Sequence, residues 1–137
     1  MNSAAQSQTL LIGRVLLALV FLVAGIRIIL SYSGNIGYFT KLGFPAPEVM
    51  TVLAILIEIG GGVLLILGWQ TRRISWLLVL FVIIATAMAH RFWEFDAAQY
   101  GNQLNHFLKN VAIIGGLLYV IVFGAGRLSL DERSATS

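Results

Sequence analysis

The chain has 137 residues, 58% of them hydrophobic and only 11% charged, where soluble domains carry about a quarter charged residues. That balance points to a membrane protein, and the length suits one domain. It has no cysteine, which excludes disulfides, thiol redox chemistry, iron–sulfur ligation and cysteine nucleophiles; its net charge of +3 comes from scattered Lys and Arg and gives no nucleic-acid surface.

Residues 1–9, "MNSAAQSQT", are small and polar and are expected to form a disordered tail. The first apolar span runs from Leu10 to Leu30. No basic segment precedes it and no small-residue cleavage site follows, so it reads as a mature helix rather than a cleaved signal. Arg14 and Arg27 fall inside it, 13 residues apart, or about 20 Å along a helix. Each is expected to snorkel toward the nearer membrane interface. The connection "SYSGNIGYFTKLGFPAP" holds both prolines of the chain, Pro45 and Pro47, which suit a turn into the first turn of the next helix.

The second span runs from Glu48 to Trp69 and the third from Ile74 to His90. The tight "QTRR" turn between them makes an antiparallel hairpin. The polar, aromatic "RFWEFDAAQYGNQ" connection leads to the fourth span, Leu104 to Phe123. Each span approaches the ~20 residues needed to cross a bilayer core. The predicted fold class is therefore all-α: a polytopic membrane protein built as a four-transmembrane-helix antiparallel bundle over residues 10–126, with a mobile C-terminal tail over 127–137. No repeat with a period of ~20–50 residues is visible.

Four spans put both termini on one side. That side also carries Arg72, Arg73, Arg127 and Arg133, against Lys41 and Arg91 in the opposite loops. The bias predicts cytoplasmic termini and a multi-pass inner-membrane protein. Tyr32, Tyr38, Trp93 and Tyr100 then belong to the outer aromatic belt, and Trp69 and Trp76 to the inner one.

Polar residues inside the spans are the candidate site. Glu58 stands about ten residues into the second helix, near the midplane, where a carboxylate is expensive and must face protein. Thr51, Ala54, Glu58, Gly61 and Gly62 share one helical stripe of small residues, which lets neighbouring helices approach closely. The run Gly60-Gly61-Gly62 is not a phosphate loop, since no strand precedes it and no Lys-Ser/Thr follows. His106, Lys109 and Asn110 share a face of the fourth helix; Thr86 and His90 share one on the third. Arg27, Glu58, His90, His106, Lys109 and Asn110 are thus expected to converge in the outer half of the bundle, with Lys109 reaching toward Glu58 and Arg14 approaching it from the other side. Such an ion pair would either fix helix register or serve a substrate or proton role. His90 and His106 read first as interfacial histidines. A metal site joining them to Glu94 or Asp96 lacks ligand spacing, so none is expected.

These residues carry a resemblance. The pieces "GRVLLALVFLVAGIRII", "LGFPAPEVMTVLAILIEIGGGVLLILGWQTR", "ATAMAHRFWEF", "NHFLKNVAIIGGLL" and "GRLSLDE" make the chain similar to the DoxX family of small four-helix bacterial membrane proteins. The resemblance picks out Arg14, Gly25 with Arg27, Pro45, Glu58 with Gly61 and Gly62, His90, and Lys109 with Asn110. Two departures stand out: Arg27 replaces a commoner Lys, and His106 interrupts the Asn-Phe motif of the fourth helix. The resemblance implies membrane redox chemistry, as in thiosulfate–quinone oxidoreductase subunits. No flavin, haem or nicotinamide motif is present.

The first expectation is therefore a quinone-linked oxidoreductase subunit with no redox centre of its own, fed with electrons by a partner protein in the lipid bilayer. Glu58, Lys109 and His90 are its catalytic candidates; Arg14, Arg27, His106 and Asn110 are its cofactor-binding candidates. The alternatives are a proton-coupled small-molecule transporter, which would need a homo-oligomer, and a non-catalytic membrane scaffold for soluble enzymes.

Overall fold

The computed structural model describes residues 3–135. Its helices are α1 (Ser3–Leu30), α2 (Tyr32–Lys41), α3 (Pro47–Leu67), α4 (Thr71–Ala89), α5 (Ala97–Phe123) and α6 (Leu130–Ala135), with a short 3₁₀ turn at Phe92–Glu94. No strand occurs among the described residues. α1, α3, α4 and α5 are long and apolar enough to cross a membrane. The four expected spans are all present, and the protein is an all-α transmembrane bundle.

α1 packs along α3, α3 turns back onto α4, and α4 lies along α5, which closes the bundle against α1. The core is Ala18, Phe21, Leu65, Leu78, Val79, Val82, Leu117 and Val120. Outside it the usual burial pattern is inverted. Leu16, Ile29, Leu56, Trp76, Ile83, Tyr119 and Val122 face outward, while Arg14, Thr51, Glu58, Thr71, Ser75 and Thr86 are buried. Lipid accepts the first set, and only the protein interior can satisfy the second. Gly61 and Gly62 make the close approach possible: a Cβ on Gly61 would stand 2.8 Å from Leu78, and one on Gly62 2.8 Å from Leu22.

Two internal segments differ from the sequence expectation. The first loop contains α2, which buries none of its own residues and packs against α3. Gly34 and Gly37 dilute its helical pattern. α5 begins at Ala97 rather than Leu104, because the Asp96 carboxylate accepts the Gln99 N–H at 3.0 Å and caps the helix.

The termini differ as well. Residues 3–9, expected in a polar tail, form the first turns of α1; Met1 and Asn2 lie outside the described residues. Residues 127–135, also expected as a tail, fold back onto the bundle through α6; the part of that expectation falling on Thr136 and Ser137 lies outside the described residues.

The fold-back meets the α3–α4 turn. Gly68 ends α3 at φ 66°, a left-handed position natural to glycine. A Cβ there would collide with the Arg14 guanidinium and Ser129. Gln70 follows at φ 48°, and the open amides of α4 are capped from a distance of 60 residues. The Asp131 carboxylate accepts the Gln70 N–H at 2.7 Å and the Thr71 N–H at 2.9 Å, while the Asp131 N–H donates to the Gly68 carbonyl at 2.9 Å.

Candidate functional site

Midway along α3 the helix widens into one π turn over Leu56–Gly60. Such a turn inserts one extra residue into the helix and is found mostly as a local bulge, often at functional sites. Glu58 is at its centre. The expected small-residue stripe is intact around it, since Thr51, Ala54, Gly61 and Gly62 are all buried on the same side of α3. Glu58 itself is 8% exposed, and its Oε2 is fully buried with no hydrogen-bond partner among the described residues.

The expected ion pair is absent. Among the described residues no basic group lies within ion-pair reach of Glu58. Arg14 is 1% exposed but runs toward the terminal face. Its Nη1 donates to the Leu65 carbonyl at 3.1 Å and its Nη2 to the Leu128 carbonyl at 2.6 Å. Carbonyls at a helix end and in the folded-back segment attract a guanidinium more cheaply than the mid-bilayer does. Lys109 is exposed on α5, with Nζ 3.3 Å from His106 Nδ1. Neither cation neutralises Glu58.

The outer polar set therefore separates into two groups. In one, the His90 and His106 rings stack at 4.9 Å, His90 Nδ1 lies 2.9 Å from Gln103 Oε1, and Lys109 joins through His106. Beside them Asn110 Nδ2 donates to Thr86 Oγ1 at 2.8 Å, and that hydroxyl donates to the Val82 carbonyl at 2.6 Å. In the other group stands Glu58, between two cavities.

The first Glu58 cavity is about 300 Å³ and mainly apolar. α2, α3 and α4 enclose it with Tyr38, Phe39, Met50, Phe81 and Met88, and Asn35 adds an amide. The second, about 310 Å³, joins Glu58 to Arg27, Ser31 and Asn35. A third, about 440 Å³, holds His90, Arg91, Glu94 and Gln103 and shares Tyr38, Leu42, Met88 and Ala89 with the first. Glu58, Arg27 and His90 thus border one string of spaces at the α2 end of the bundle; Arg14, His106, Lys109 and Asn110 line none of the three. Partial desolvation holds the Tyr38 phenol above its ordinary range, so it keeps its proton and can donate.

Sequence reasoning missed Asn35 and Tyr38, because nothing in the first loop signalled a helix folded over α3. It also missed the cap at Asp131, although the "GRLSLDE" run was visible. Among the described residues no three His, Asp or Glu side chains converge as a metal site would need.

Comparison with known proteins bears on the family. A family model described as DoxX matches residues 9–91, a stretch that includes Arg14, Arg27, Glu58 and His90. The inner membrane protein YphA of Escherichia coli (strain K12) is 30% identical over 130 residues, covering 95% of this chain and 93% of that protein. The inner membrane protein YqjF of the same organism is 32% identical over 122 residues, covering 89% and 88%. The ER-derived vesicles protein ERV29 of Saccharomyces cerevisiae is 26% identical over 132 residues, which is 96% of this chain but 36% of that protein. No solved structure matches the chain.

Proposed function

The chain belongs to the DoxX family of integral membrane proteins, and from that premise we propose that it is a quinone-binding accessory subunit of a membrane redox system. Its place is the bacterial inner membrane, as the names of YphA and YqjF suggest, with both termini in the cytoplasm, as the arginine bias favours. The observation that carries the proposal is Glu58, a buried acid without a countercharge at the wall of an apolar cavity.

A cavity of about 300 Å³ is at the small end of ligand pockets. It suits a ring-sized headgroup with its tail left in lipid. Asn35 and Tyr38 supply donors for a carbonyl, and the Phe39, Met50 and Phe81 side chains supply apolar and aromatic contact. Quinone, when bound, supplies the two-electron couple, with electrons delivered by a partner protein. Glu58 holds or releases a proton at the cavity wall. His90, hydrogen-bonded to Gln103 in the adjoining space, exchanges protons with the interface. Lys109, on the outside of α5, has no part in this cavity.

Between Glu58 and the terminal face the bundle is closed by Leu65, Leu78 and Leu117, all fully buried. That favours a one-sided binding site over a transport path. Equilibrium binding of a short-chain ubiquinone to the purified protein tests the proposal. The expected result is saturable binding that weakens about fivefold to tenfold in Glu58→Leu, which removes the protonated acid as a donor to a quinone carbonyl. No saturable binding, or equal binding by wild type and variant, would overturn it.

A further inference from the structure

The terminal face has a cavity of about 520 Å³ where the α3–α4 turn meets the end of α5. We propose that it holds the headgroup of an anionic phospholipid, with an acyl chain lying in the groove between α1 and α5. Arg72, Arg73 and Arg127 line the cavity, and all three are exposed. Arg127 has no hydrogen-bond partner among the described residues. Arg72 makes only a long contact, 3.3 Å, to the Val122 carbonyl, and Arg73 is tied at 3.0 Å to Gln70 Oε1. Two carboxylates share the rim. Asp131 is turned onto the Gln70 and Thr71 amides and Glu132 stands beside it, so three guanidiniums against two carboxylates leave the rim a net positive charge.

The apolar half of the site is a groove of about 530 Å³. Leu10, Gly13 and Leu17 of α1 form one wall, and Gly116, Tyr119 and Val120 of α5 the other. Phe123 and Gly124 line both spaces, so the groove begins where the basic cavity ends. From Gly124 to Gly116 it descends about 12 Å along α5, from headgroup depth into hydrocarbon. A free anion would use the arginines alone, and a zwitterionic lipid would gain nothing from an excess of guanidinium. Only an anionic lipid matches both parts. Basic pockets between membrane helices recognise such headgroups by this combination of charge and depth.

Native mass spectrometry of the full-length protein tests the inference. The protein is extracted from vesicles of phosphatidylcholine and phosphatidylglycerol in equal parts. Wild type is expected to retain phosphatidylglycerol at least about fivefold over phosphatidylcholine, and each of Arg72→Gln and Arg127→Gln to reduce that preference by about fivefold. Gly13→Leu probes the groove separately. A Cβ on Gly13 meets nothing within 4 Å, so the variant folds while its side chain occupies the acyl-chain space, and retention is expected to fall. Soluble glycerophosphoglycerol, which has no acyl chain, is expected not to compete. Equal retention of the two lipids by wild type, unchanged retention in Gly13→Leu, or effective competition by the soluble headgroup would each overturn the proposal.

Discussion

Asp131 belongs to neither a span nor the expected site, yet it closes the α3–α4 turn. Burial works against its charge, but hydrogen bonds from the Thr71 and Gln70 amides and the nearby Arg14 outweigh that and hold the carboxyl below its ordinary range. A carboxyl whose folded value is depressed stabilises the protein above its unfolded pKa and loses that contribution as pH falls through the folded value. Asp131→Ala should therefore lower stability by about 1 kcal/mol at neutral pH, the worth of a helix cap, and less at acid pH. Thermal unfolding in detergent across acid pH reads both effects.

Glu58 gives the opposite case, a buried acid with no cation within ion-pair reach among the described residues. Because Lys109 does not reach it, a double-mutant cycle between Glu58→Gln and Lys109→Met should show coupling below about 0.5 kcal/mol. A buried pair broken on one side would instead cost about 3–5 kcal/mol. The sequence placed both residues correctly along their helices and misjudged which way Lys109 points. Spacing assigns a face to a helix but not the rotation of that helix against its neighbour.

At the scale of elements, the spans were legible because lipid imposes one requirement on every turn of a crossing helix. The small stripe on α3 was legible for a related reason, since Gly61 and Gly62 must admit Leu78 and Leu22. The π turn was not. Leu56 to Gly60 has the composition of ordinary helix, and the extra residue is recognised only from its backbone hydrogen bonds. α2 was also hidden, because its stability lies in contact with α3 rather than in its own pattern. The α3–α4 turn offers a clean test. Gly68→Ala meets both a left-handed backbone and the Arg14 guanidinium, and should cost more than the roughly 1–2 kcal/mol of the backbone term alone. Chemical denaturation of the detergent-solubilised variant measures it.

At the scale of the whole molecule, the two halves of the bundle divide the labour. The terminal half is latched: Arg14 ties α1 to the end of α3 and to the folded-back Leu128 segment. Arg14→Met should lower stability by about 3 kcal/mol or more, since two hydrogen bonds from a charged donor are lost, and should free residues 127–135 to proteolysis. That Arg14 lies near one interface was legible in the sequence. That it would bind carbonyls of two distant segments was not, because the second segment reaches it only through the tertiary fold. The α2 half contains the linked spaces around Glu58.

The claim that the α2 half receives a quinone ring is tested most directly by photolabelling the purified protein with an azidoquinone and mapping the modified residues. Labelling should fall on Tyr38, Met50 or Met88 around Glu58, be suppressed by unlabelled short-chain quinone, and weaken in Glu58→Leu. Labelling spread over lipid-facing positions such as Leu56 and Val122, unaffected by competitor, would contradict it.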